Sequence, residues 1–302
     1  MPSMQKITIP HIADHFQFSG PRSSSEVNLL IEVPHGATRA SDFHDLASRL
    51  QGVLPEDLIH FFFVNTDVGA PEVALYLAER LVESNEAMNV EVIQSRIPRT
   101  FIDVNRKIDV DLESYREGRV TPGIPDWSQG EEDLKLLKEL YFAYQDLVAT
   151  AKARLASDGL MLFLHTFSPR TVGVTVTENI VSDLHGAYEP EQYEQWPLRP
   201  EVEIIDRDME GISYTSEALK SSLRRELATI DLKAEENTTY PLHPSTMAYH
   251  NALDLKGRAL CLEIRRDLLA DPFKPFEEND VSLELVARIG EPILRALLEG
   301  GR

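Results

Sequence analysis

The chain reads as an α/β protein whose mostly parallel sheet is covered by helices on both faces. Three observations predict this. Short, mostly apolar runs recur along the chain, amphipathic helical patterns lie between several of them, and polar residues of chemical interest gather where the runs end. Strands that alternate with helices favour a parallel sheet.

The runs, rich in β-branched or aromatic residues, are 29–33, 61–64, 90–93, 160–164, 202–205 and 259–264. Each reads as a buried strand. Residues 18–25 are polar and read as loop. Pro71 stands where a first helical turn begins, and 73–82 continues as an amphipathic helix. The clearest helix runs over 131–157, where Leu134, Leu137, Tyr141, Tyr144, Val148, Ala151 and Leu155 fall at alternating three- and four-residue steps. That spacing makes one apolar stripe, and Gly159 is expected to stop the helix before the next strand. Residues 216–228 and 282–298 read as further helices. Residues 115–130 and 182–200, rich in Gly, Pro and charge, read as long loops near a site and not as domain linkers. With no internal repeat or low-complexity tract, the expectation is one α/β domain over residues 1–302.

Composition bounds the function. Of 302 residues, 42% are hydrophobic, enough for a large core. The formal charge is −20, which argues against nucleic acid, whose binding leans on Lys and Arg contacts to phosphate. It argues equally against anionic membrane surfaces. An anionic small molecule would need a local cluster of arginines. No run approaches the roughly 18 apolar residues of a membrane span, and no secretory signal is evident. The one cysteine, Cys261, lies between Leu260 and Leu262 and reads as a buried strand thiol. A reduced, cytoplasmic setting is expected.

The chemistry collects where the apolar runs end. Residues 29–33 lead into His35 and Gly36, 61–64 into Asn65 and Asp67, and 90–93 towards Arg96 and Arg99. Residues 160–164 run directly into His165, and 259–262 into Glu263, Arg265 and Arg266. In an open parallel sheet the carboxyl ends of the strands share one edge, where ligands bind. His35, His165 and Asp67 suit a zinc-like ion with one open position for water. The plainer alternatives are that His35 packs beneath the Gly36 turn and that Asp67 caps the helix at Pro71. Glu263 follows a run that should be buried, so its carboxylate needs a partner or a task. It is either a general base that takes a proton from water or the ion-pair partner of Arg265 or Arg266. The stretch Arg99-Thr-Phe-Ile-Asp103-Val-Asn105-Arg106 supplies arginine forks for a substrate carboxylate and an amide at Asn105; otherwise it is a solvated loop with an Arg–Asp pair. Asn237-Thr-Thr-Tyr240-Pro-Leu-His243 reads as a loop over the site, with Tyr240 placed to touch substrate.

Taken in order, Pro34-His35-Gly36, Asp103-Val-Asn105-Arg106, His165-Thr166 and Glu263-Ile-Arg265-Arg266-Asp267-Leu268 resemble the motifs of N-formylglutamate amidohydrolases, as separated elements between residues 29 and 269. That family in turn resembles the zinc carboxypeptidase and aspartoacylase group. The resemblance implies a three-layer α/β/α, phosphorylase/hydrolase-like fold with one zinc per chain at the strand ends. It also implies that Glu263 is the base and that Asn105 and Arg106 meet the substrate. Two motifs depart from the family pattern: His35-Gly36-Ala37 stands for His-Ser-Gly, and His165-Thr166-Phe167 for His-Ser-His. These departures bear on the substrate more than on the class. The expected activity is metal-dependent hydrolysis of the amide of a small anionic N-acyl amino acid, with Arg99, Asn105, Arg106, Tyr240 and Arg265 around the substrate. The alternatives are a peptidase on the same scaffold, or a non-catalytic protein that binds an anionic metabolite.

Overall fold

The computed structural model describes residues 2–255 and 257–300. Eight strands, β1 (Ser3–Ile9), β2 (Ala13–Ser19), β3 (Val27–Val33), β4 (Asn89–Ser95), β5 (Leu155–Phe167), β6 (Val202–Ile205), β7 (Ala234–Glu236) and β8 (Ala259–Arg265), form one sheet. Their order is β1-β2-β4-β3-β5-β8-β6-β7. The central four, β4-β3-β5-β8, are parallel. β1, β2 and β6 run antiparallel to their inner neighbours. The helices are α1 (Ala40–Ala47), α2 (Leu58–Asn65), α3 (Ala70–Ser84), α4 (Leu112–Glu117), α5 (Glu131–Lys152), α6 (Ile180–Ala187), α7 (Pro190–Tyr193), α8 (Glu217–Ala228), α9 (Met247–Ala252) and α10 (Leu283–Gly300). None is long and apolar enough to cross a membrane.

Successive strand side chains point to opposite faces, and the central strands are apolar on both. In β5, Leu162 and Leu164 join the core built with α3, α8 and α10. Met161 and Phe163 join the core built with α2, α5, α6 and α9. β3 and β8 divide in the same way, so the molecule is a three-layer α/β/α sandwich. β3 lies between β4 and β5 although β4 follows it in sequence, so successive crossovers leave β3 on opposite sides. Such a reversal opens a crevice at the carboxyl ends of the diverging strands, here those of β3 and β5. By alternation, His165 and Glu263 share the α2/α5 face with Phe163 and Cys261, and the parallel register sets His165 directly beside Glu263.

Local signals account for most boundaries. Pro71 lies in the first turn of α3, and Gly69 precedes it at φ 86°. A Cβ at Gly69 would lie 2.6 Å from Leu269 Cδ1, so this left-handed corner requires glycine. The Ser216 hydroxyl accepts the Leu219 N–H at the start of α8, satisfying one of the free donors of a helix N-terminus.

Four expectations need correction. Residues 61–64 are not a strand but part of α2. Phe61, Phe62 and Phe63 are all buried, and a short helix apolar on every side carries no 3.6-residue signature in its sequence. α5 ends at Lys152, and Leu155 opens β5 although it continues the helical stripe. Gly159 therefore lies inside β5, where a Cβ would stand 2.8 Å from the Val27 carbonyl, next to the register shift against β3. The loops at 115–130 and 182–200 also carry short helices, including α7 and parts of α4 and α6. The β1–β2 hairpin was not expected. Its buried residues mix polar with apolar: Asp14 pairs with Lys6 at 3.0 Å and His15 lies 2.9 Å from Glu91, beside buried Phe16 and Phe18.

Candidate metal and active site

The carboxyl ends of β3, β5 and β8 and the α2–α3 junction converge on one cavity, lined among others by His35, Asp67, His165 and Glu263. His35 follows β3 directly. Asp67 reaches it because α2 stops at Thr66: the Thr66 hydroxyl donates to the Ala37 carbonyl (2.6 Å) and the Asp67 N–H to the His35 carbonyl (3.3 Å). The side chain of Asp67 caps nothing. α3 starts at Gly69 without a side-chain cap, so the structure sets that alternative aside.

His35 Nδ1, His165 Nδ1 and Asp67 Oδ2 form a triangle of sides 3.2, 2.9 and 3.2 Å, and all three residues are buried. Two imidazole nitrogens and a carboxylate oxygen thus converge on one point, each able to offer a lone pair. A tetrahedral ion with bonds of about 2.0–2.1 Å holds its ligand atoms about 3.3 Å apart, so the triangle fits three corners of such a shell. The surroundings match that use. His35 Nε2 lies 2.8 Å from Asp103 Oδ1; an N–H donated there leaves Nδ1 with its lone pair turned into the triangle. In the structure that lone pair faces Arg99 Nη1 at 3.3 Å. Burial pushes the Asp67 carboxyl up, but the adjacent imidazoles outweigh it and hold the group below the ordinary range. Its other oxygen faces Arg266 Nη2 at 3.5 Å.

Glu263 is the unpartnered group of the site. Its Oε2 is buried without a hydrogen-bond partner, and burial pushes its carboxyl up to about 7, against the pull of His165. The ion pair weighed for it is absent among the described residues. Arg265 donates to Asp267 (2.8 Å) and to the Arg199 carbonyl (3.1 Å), while Arg266 donates to the Val64 and Thr166 carbonyls.

The Asp103–Arg106 loop is buried, not solvated. Gln145 of α5 donates to the Val104 carbonyl and Tyr141 to the Arg106 carbonyl. Asn105 Oδ1 accepts the Ala248 N–H of α9, which leaves Nδ2 3.4 Å from His165 Nε2. Asp103 takes Arg99 at 2.8 Å and Arg106 at 3.7 Å. These two cations, with His35, outweigh burial and hold its carboxyl well below the usual range.

Arg99, Asn105, Arg106 and Tyr240 all line the cavity; Arg265 does not, because Asp267 and the Arg199 carbonyl hold it outside. Sequence reasoning missed two groups. One is Asp103, named within its motif but given no task, which touches His35. The other is Arg199, which lines the cavity, donates to the Tyr240 hydroxyl at 2.9 Å and lies over the Phe167 ring. Its position after Leu198 in a charged loop gave no signal. Cys261 also borders the cavity, and burial pushes its thiol well up, as befits an inert strand thiol.

Comparison with known proteins places the fold and the family. No curated protein matches the chain. Among solved structures, an N-formylglutamate amidohydrolase from Ralstonia eutropha is similar, with 16% identity, a TM-score of 0.57, and coverage of 94% of this chain and 98% of that one. A gene product of Agrobacterium tumefaciens matches at 17% identity and a TM-score of 0.51, over 91% and 92% of the two chains. A succinylglutamate desuccinylase from Chromobacterium violaceum is more distant, at 14% identity and a TM-score of 0.44, over 98% and 70%. At such identities the likeness is one of fold. The sequence itself matches the N-formylglutamate amidohydrolase family over residues 27–270. That span begins with β3 and closes just beyond β8, so it takes in every strand end that builds the cavity, and the chain belongs to the N-formylglutamate amidohydrolase family.

Proposed function

We propose that this protein hydrolyses the amide bond of an N-acyl amino acid at the cavity above β3, β5 and β8. His35, Asp67 and His165 would hold one zinc-like ion, and Glu263 is the general base. The observation that carries this reading is the carboxylate oxygen of Glu263, buried and unpartnered, one strand from the His–Asp–His triangle. A protein that only bound a metabolite would have no use for an unpaired carboxylate there.

Bound at the triangle, the ion would supply Lewis acidity, polarising the scissile carbonyl and acidifying water. The remaining work falls to the chain. Glu263 takes a proton from the attacking water and passes it to the leaving nitrogen, and a carboxyl pushed up to about 7 suits both transfers near neutral pH. Asp103 fixes the ring of His35, and an Nε2–H donated to it would leave the Nδ1 lone pair for the ion. Asn105 and Tyr240 contact the substrate around the scissile amide. Arg99 and Arg106 line the same wall, but both are drawn to Asp103. Arg199 has no carboxylate within ion-pair distance among the described residues and touches Tyr240, so we assign it to the substrate carboxylate.

The test is formate release from N-formyl-L-glutamate by the purified protein, before and after chelation and after zinc is returned. Release that chelation abolishes and zinc restores is expected. No release at any metal loading, from this or any other N-acyl amino acid, would contradict the reading.

A further inference from the structure

The cavity at the triangle has a volume of about 250 Å³. It adjoins a second cavity of about 1050 Å³. The two share part of their walls, including Phe61, Arg99, Val174, Arg199 and Tyr240. A one-carbon formyl group has no need of the larger space. The wall of that space is mixed: apolar side chains stand beside threonines and beside charged residues of both signs, Asp126 and Glu235 included. A continuous part of its apolar area comes from the extended segment that follows β5. There Val172, Val174 and Val176 are the half-buried residues and alternate with exposed Thr171, Gly173 and Thr175. All three valines border both cavities, as does Phe61 of α2. Cations are part of the same wall. Arg199 and Arg119 border both cavities, and neither meets a carboxylate within ion-pair distance among the described residues. Arg119 reaches the Thr239 carbonyl, and Arg199 reaches the Thr171 and Tyr240 hydroxyls. In a chain with 50 acidic and 30 basic residues, two arginines without acidic partners at a cavity point to an anionic ligand.

We propose that the outer cavity is a subsite for an extended apolar acyl group, so that the substrate is an N-acyl amino acid with a chain of several carbons and a carboxylate held by Arg199. This rests on the reading of the inner cavity as an amide hydrolase site. Three valines in a row offer apolar area and no side-chain hydrogen-bond groups. With Phe61, Leu112, Ile124 and Leu198 on the same wall, that area suits the methylenes of an acyl chain. The arginines at the junction hold the amino-acid half and leave the outer cavity to the acyl half.

The experiment compares the N-formyl, N-acetyl, N-hexanoyl and N-octanoyl derivatives of L-glutamate, with N-formyl-L-leucine, on zinc-loaded protein. Each methylene buried is worth up to about fourfold, so kcat/KM is expected to climb steeply from formyl to octanoyl. Val174→Asp should lower the octanoyl-to-formyl ratio by about tenfold or more, and Val174→Thr should do so less. A flat series, a maximum at formyl, or N-formyl-L-leucine as the best substrate would overturn the proposal while leaving the hydrolase reading intact. If nothing is hydrolysed, that reading fails, and calorimetry still decides the subsite. N-octanoyl-L-glutamate binding about tenfold or more tighter than N-acetyl-L-glutamate, with the difference lost in Val174→Asp, would support it; equal affinities would overturn it.

Discussion

Replacing Glu263 by glutamine separates catalysis from stability, because the structure predicts opposite signs for the two. The amide keeps the shape of the carboxyl but cannot accept a proton, so turnover should fall by roughly 10²–10⁴-fold, the usual contribution of a positioned acid or base. If Glu263 were the partner of Arg265 or Arg266, the same change would destabilise the fold by leaving a charge poorly paired. In the structure both arginines are engaged elsewhere and Oε2 has no partner. The ionised carboxylate is therefore a cost to the folded state. Its carboxyl sits near 7 against an ordinary 4.5, and at about 1.4 kcal/mol per pH unit this corresponds to at most about 3 kcal/mol. The side chain borders the cavity, where solvent offsets part of that cost, so about 1–3 kcal/mol is expected. The pH dependence follows from the raised value. Between about 4.5 and 7 the folded protein holds a proton that the unfolded chain releases, so wild-type stability from this group falls as pH rises through that window. Glutamine does not titrate. The variant's advantage should thus be absent near pH 4.5 and complete above pH 7. Urea unfolding of metal-free wild type and variant at pH 5 and pH 8, with turnover on the same zinc-loaded preparations, checks both halves. A variant less stable than wild type at pH 8, or one that is fully active, would refute the reasoning.

Two further changes probe the surroundings of the site. Asp103→Asn keeps the volume beside His35 but weakens the acceptor that fixes its ring, so zinc affinity should drop about 10–100-fold in a competition titration with a chromophoric chelator; unchanged affinity would detach Asp103 from the site. Arg199→Ala removes the one cavity arginine assigned to the substrate carboxylate. It should cut the preference for an N-acyl amino acid over its neutral amide by about 10–100-fold, as loss of a charged hydrogen-bond partner implies, whereas Arg265→Ala should leave that preference alone.

What the sequence revealed and what it hid have separate physical causes. The central strands were visible because each is buried on both faces and so reads as a mostly apolar run, and the polar residues at the carboxyl ends of those runs marked the rim. That rule pointed to His35, just past β3, and to His165 and Glu263, within the last residues of β5 and β8. Asp67 was reached by the same rule applied to an element of the wrong kind. The run 61–64 is helical, yet its C-terminal end still delivers Asp67 to the His35 carbonyl. The β1–β2 hairpin was hidden because its buried members include Asp14 and His15, whose partners Lys6, Arg96 and Glu91 come together only when the strands pair. Arg199 and the Val172–Val174–Val176 wall lie on segments without regular structure near them, where no periodicity tells which side chains turn inward. Arg265 was misplaced because a strand's alternation puts it on the same face as Glu263, while its reach towards Asp267 is a tertiary matter.

The central claim is that His35, Asp67 and His165 together hold a metal ion, and elemental analysis tests it most directly. Wild-type protein and His165→Ala should each be saturated with zinc, desalted and measured for zinc per folded chain. The account predicts about one zinc in the wild type and nearly complete loss in the variant, with circular dichroism showing both folded. A wild type that retains no zinc, or a variant that retains as much as the wild type, would contradict it.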